Sequence, residues 1–156
     1  MALSTAQQEY QLLLAETIAR EVDIHVDGLR AELLRVSQTL GGAIRRTGGP
    51  NADLRRDLAA VVDERMPYLR YDEARGGRRS IVTGELAAEI KPSFDGSLEE
   101  ATKVLSDGSR SRPDTTIVSQ PILAGAPPRA HLVISAPVLS RGKLRGVLSS
   151  LVDLEH

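Results

Sequence analysis

From about Thr5 to Arg46, apolar and polar positions alternate with the helical period. Val22, Val26, Leu29, Leu33, Val36 and Leu40 recur in steps of four and three, which lays them on one stripe, while Arg20, Asp23, Asp27, Arg30, Glu32 and Arg35 fall opposite. The pattern predicts one long helix, or two meeting near Gly28. At ~1.5 Å per residue, about forty residues run roughly 60 Å, further than a small domain reaches. Part of the stripe is therefore expected to pack on a sheet and part to project or pack on another chain. Gly41-Gly42 and then Thr47-Gly48-Gly49-Pro50 read as the end of the helix.

Asn51 is a candidate N-cap for a short second helix with Leu54, Leu58, Val61 and Val62 on its apolar side, ended by Pro67. Beyond it the period drops to two. Tyr68 to Arg75 and Arg78 to Thr83 read as strands joined at Gly76-Gly77, a two-residue hairpin signal. The segment Glu85 to Pro113 is a long crossing connection holding one short helix, Ser97 to Ser106, opened by the capping-box pair Ser97 and Glu100. Asp114 to Leu123, Ala130 to Leu139 and Lys143 to Leu154 read as three consecutive strands separated by good turn chemistry. The expected fold is α+β: a long N-terminal helix packed on a single five-stranded antiparallel sheet. The expected divisions are 1–50 for the helix, 51–153 for the sheet domain, and 154–156 for a tag remnant, since Leu154-Glu155-His156 reads as the start of a Leu-Glu-polyHis tail.

Composition narrows the functional classes. The 156 residues suffice for one core, and 41% apolar against 26% charged is the balance of a folded globular chain. One Phe, three Tyr and no Trp leave few stacking platforms, and a net charge of -1 gives no field to attract a polyanion, so nucleic acid is not an expected partner. With no Cys, thiol catalysis and thiolate zinc sites are excluded. His25, His131 and His156 have no metal-ligand spacing, no glycine pair matches a phosphate loop, and no nucleophile elbow occurs. Neither a metal, a cofactor nor an enzymatic activity is expected. Glu99-Glu100 and the Arg pairs read as solvated charge.

The stretch Leu132 to Leu148, with Ile134-Ser135-Ala136-Pro137-Val138, a Gly142 turn, Gly146-Val147 and the later Asp153, resembles the closing strands of a Cache domain. Tyr68 to Val82 is similar to the opening hairpin of that family, with Glu73-Ala74-Arg75-Gly76 at its turn. The resemblance implies a PAS-like sheet in a single Cache module. It also implies an extracytoplasmic, periplasmic ligand-sensing domain of a bacterial inner-membrane receptor such as a histidine kinase, chemoreceptor or diguanylate cyclase, working as a homodimer. A ligand-free PAS-like dimerisation or scaffold domain is the alternative.

The resemblance also places a pocket between one sheet face and the crossing segment. Period-two alternation puts Tyr68 and Arg70 on one face, and likewise His131, Val133 and Ser135, while Leu132, Ile134, Ala136 and Val138 face the long helix. Candidate ligand-binding residues are Tyr68, Arg70, Lys91, Arg112, Ser119, His131 and Ser135. Lys91, Arg110 and Arg112 are positioned in sequence to supply charge for a carboxylate, so a small polar or anionic metabolite is the expected ligand.

Overall fold

The computed structural model of the protein describes residues 4–47, 52–74, 80–107 and 115–154, the side chains of 15–23 and 52 excepted. The first helix, α1 (Thr5–Thr47), runs without a break through Gly28. Its start is fixed reciprocally: the Gln7 N–H donates to Ser4 Oγ at 3.2 Å and the Ser4 N–H donates to Gln7 Oε1 at 3.1 Å. This closes two of the four amides that a helix start leaves unpaired. The described chain falls into two compact units, one up to Ala31 and one from Glu32. In the first, Tyr10, Leu12, Leu13, Leu14 and Ile24 are exposed apolar side chains.

The second unit holds the rest of α1, α2 (Ala52–Ala59), α3 (Lys91–Ser106) and six strands: β1 (Tyr68–Glu73), β2 (Ser80–Gly84), β3 (Ile117–Val118), β4 (Ile122–Ala124), β5 (Arg129–Ser140) and β6 (Lys143–Asp153). The sheet is antiparallel in every pairing and ordered β2-β1-β6-β5-β3, with β4 also paired to β5. This is the expected α+β architecture with one strand divided. The expected strand Asp114 to Leu123 is interrupted at Ser119-Gln120-Pro121, where Pro121 has no N–H to give to a ladder.

Two other expectations are corrected. Gly41-Gly42 does not end the helix, which continues to Thr47; a Cβ at Gly41 would stand 2.4 Å from the carbonyl oxygen of Leu139, so this glycine lets α1 lie directly on β5. The helix of the crossing segment begins at Lys91 and not at Ser97. Pro92 occupies its first turn, where proline needs no hydrogen-bond partner, and Ser97 and Glu100 lie within it. The Gly76-Gly77 turn and the Asn51 cap lie outside the described residues.

One sheet face, with Leu69, Tyr71, Ile81, Leu132, Ile134, Ala136, Val138, Leu148 and Val152, is buried together with Leu33, Val36, Leu40 and Ile44 of α1 and Leu54 and Leu58 of α2. On the other face Tyr68, Val133, Val147 and Leu151 cluster with Phe94, Leu98 and Leu105 of α3. The rings of Tyr68 and Phe94 meet edge to face, 5.0 Å apart at 87°. Burial of this order contributes about 1.5–3 kcal/mol per large side chain and fixes α3 across the sheet.

Candidate functional site

Residues paired across antiparallel strands point to the same side of the sheet. The register therefore aligns Val82, Arg70, Ser149, Ser135 and Ile117 in one row across β2, β1, β6, β5 and β3. The row lies on the α3 side, because its neighbours along the strands belong to the α3 cluster. Three polar residues thus sit in a row beneath α3, beside its apolar cluster.

Arg70 is held at both ends of its guanidinium: Nε lies 2.9 Å from Asp72 Oδ2 and Nη1 lies 3.3 Å from Asp95 Oδ1, on α3. Ser80 Oγ, on β2, hydrogen-bonds the same Asp72. Partial burial lowers the Arg70 pKa, but the carboxylates of Asp72 and Asp95 outweigh it and leave the group above its ordinary value. Burial raises the nearby Tyr68 hydroxyl above its ordinary value, with Arg70 partly offsetting it. Further along the row Ser135 Oγ and Ser149 Oγ, both buried, share a hydrogen bond of 2.8 Å.

Beyond Ser135 the row opens into a cavity of about 110 Å³ between α3 and the β3–β5 edge, lined by Ser97, Glu100 and Ala101 from the helix and by Ser119, Gln120 and Ser135 among the sheet residues. Ser119 holds its outer wall: its N–H donates to the Val133 carbonyl and its Oγ accepts from the Val133 N–H, both at 2.9 Å, while the hydroxyl donates to the Gln120 carbonyl. A second cavity, of about 90 Å³ and with mainly apolar walls, lies between α1 and α2 on the opposite face. Among the described residues no group of three or more His, Asp or Glu side chains converges to hold a metal.

Of the residues singled out in the sequence, Ser119 and Ser135 line the α3 cavity. Arg70 shares their face two strands away, roughly 10 Å across the ladder. Tyr68 is committed to the core beside Phe94. His131 is on the same face but four residues from Ser135, about 13 Å along the strand, opposite Asp153. Its Nδ1 is buried without a hydrogen-bond partner among the described residues, and Asp153 pairs instead with Arg129 at 2.8 Å. Lys91 opens α3 and is exposed, away from the cavity lining. Arg112 and Arg110 lie outside the described residues. Ser149, Asp72, Asp95, Ser97, Glu100 and Gln120 were not picked out from the sequence; helical spacing from Phe94 and Leu98 would have turned Ser97 and Glu100 toward one flank of the buried stripe.

The fold recurs in solved structures. The ligand-binding domain of the Pseudomonas aeruginosa amino-acid chemoreceptor PctC, in complex with GABA, superposes with a TM-score of 0.62 at 19% identity, over 96% of this chain and 62% of that one. The fold is the one that this ligand-binding domain has. The ligand-binding domain of PctB from the same organism, in complex with L-Arg, matches with a TM-score of 0.63 at 17% identity, over 97% of this chain and 59% of its own. The periplasmic sensory domain of a Campylobacter jejuni chemoreceptor matches with a TM-score of 0.55 at 9% identity, over 87% of this chain and 58% of its own. This chain thus spans about three fifths of the length of these neighbours, and at such identities the likeness is one of fold. No family model and no curated protein sequence matches it. No helix among the described residues is long and apolar enough to cross a membrane.

Proposed function

We propose that this Cache-like domain is the extracytoplasmic ligand-sensing part of a bacterial membrane receptor and takes a small polar metabolite in the cavity between α3 and the β3–β5 edge. The observation that carries the reading is the polar row Arg70, Ser149 and Ser135, laid beneath α3 and opening at its end into that cavity. Ser135 and Ser149 offset the cost of their burial by pairing with each other, and the pair still has a second hydroxyl proton for a ligand. The solved neighbours with this fold are ligand-binding or sensory domains, which supports the same reading. The parent receptor is then membrane-anchored outside the present chain, of the chemoreceptor, histidine kinase or diguanylate cyclase type, and dimeric through α1. We assign no catalytic step to it. Binding on α3 would signal by favouring one position of that helix over another, and only a difference in affinity between the two positions can do so.

A thermal-shift screen of amino acids, amines, carboxylates and polyols tests the reading. A ligand at one hundred times its Kd adds about 2.7 kcal/mol, which moves the midpoint by roughly 5–10 °C in a domain of this size. Ser97→Leu fills the cavity from the α3 side and should abolish the shift while leaving the unliganded melt near wild type. A screen with no hits, or hits that survive Ser97→Leu, overturns the proposal and leaves a scaffold domain.

A further inference from the structure

We infer that the ligand of the α3 cavity carries a positively charged amine, with Glu100 as the residue that selects it. The inference rests on the sensing reading and adds to it the charge of the ligand and the group that reads it. α3 carries two adjacent glutamates with different surroundings. Glu99 points outward and pairs with Lys103 one turn on, at 3.6 Å. Glu100 lines the cavity, one turn after Ser97, which lines it too. A carboxylate at a cavity mouth attracts cations, and an ammonium satisfies it with charge-assisted hydrogen bonds that a neutral hydroxyl matches only in part.

The cavity floor supplies the complementary requirement. Ser135 and Ser149 share one hydrogen bond, yet two hydroxyls bring two protons. Ser149 is wholly buried, whereas Ser135 borders the cavity. When Ser149 donates to Ser135, the Ser135 proton is released toward the cavity, where it meets an acceptor on the ligand. Ser119 cannot play this part, because its hydroxyl already donates to the Gln120 carbonyl. The site therefore reads an ammonium at its helical wall and a hydrogen-bond acceptor at its floor. The volume, about 110 Å³, equals roughly four waters of liquid. That limits the part of the ligand held inside to a few heavy atoms.

Three probes of one size and different charge decide the matter: 3-aminopropan-1-ol, propane-1,3-diol and 3-hydroxypropanoate, titrated by protein-observed NMR at low ionic strength. The amino alcohol is expected to bind most tightly and to weaken as salt is added. Glu100→Gln should lower its affinity about fivefold, the ceiling for a solvent-exposed ion pair, and leave the diol unchanged. Ser135→Ala should weaken the amino alcohol and the diol alike. Equal or tighter binding of 3-hydroxypropanoate, or an amino-alcohol affinity indifferent to Glu100→Gln, overturns the inference while leaving the sensing role standing. If none of the three binds, the inference also fails; the sensing role fails with it only when the wider screen is empty too.

Discussion

Glycine inside a helix costs about 1 kcal/mol relative to alanine, so propensity alone says that Gly41→Ala should stabilise the protein. The packing reverses the sign. A Cβ there meets the oxygen, carbon and nitrogen of Leu139, all of them backbone atoms of β5. Nothing flexible can give way, and overpacking of this kind costs about 1–3 kcal/mol. Gly42, one residue on, has only the tip of Arg46 nearby, at 3.8 Å. In urea unfolding, Gly41→Ala is expected to lower stability and Gly42→Ala to raise it by up to about 1 kcal/mol. Two stabilised variants would show that α1 does not lie against β5 at this point. The same residue shows why the sequence misleads: a Gly-Gly pair looks like a helix end until the partner that demands the missing Cβ is known. In the sequence Glu100 reads with Glu99 as solvated charge, because with the helix begun at Ser97 the helical spacing that separates the two goes unapplied.

Between α2 and β1 the connection is held by one carboxylate. Asp63 Oδ1 accepts the N–H of Arg65 at 2.8 Å and of Met66 at 3.0 Å, Oδ2 takes the Arg65 guanidinium at 3.0 Å, and Arg65 also reaches Glu32 of α1 at 3.4 Å. Partial burial pushes the Asp63 pKa up, but the hydrogen bonds of Met66 and Arg65 prevail, so it lies below its ordinary 3.8. A carboxyl depressed in the folded state stabilises the fold above its unfolded pKa and loses that contribution as pH falls through the folded one. Asp63→Ala should therefore lower the melting temperature by about 2–4 °C at pH 7, for roughly 1 kcal/mol lost. The deficit should shrink steadily in melts taken from pH 4 down to pH 2; a gap independent of pH would mean that the carboxylate is not the holding group. At this scale most of the fold was legible. The 3.6 period gave α1, and the period of two gave both hairpins and the faces of β5. The start of α3 was not, because Pro92 stops a helix in its interior but suits its first turn. The division of the third strand was not either, although Pro121 was in plain view.

Across the whole molecule, the proposed dimer would cover Tyr10, Leu13, Leu14 and Ile24, exposed apolar residues that helical spacing puts on one flank of α1. Sedimentation at about 100 μM is expected to show dimer, and Leu14→Glu to return monomer; monomer at every concentration in the unaltered chain would remove dimerisation through α1 from the proposal. What joins the strands most closely to the site is the irregularity between Val138 and Leu139. Below it Ser140 pairs with Lys143, and counting back along a regular ladder would set Ser135 against Leu148; the bulge shifts the register by one and sets it against Ser149. Arg145 is the residue β6 has in excess there, so deleting it would leave a regular ladder that still sets Ser135 against Ser149, whereas deleting Leu139 from β5 would move Ser135 opposite Val147. The hairpin thus carries a reading frame, and the two serines meet because the bulge absorbs the one letter that β6 has in excess.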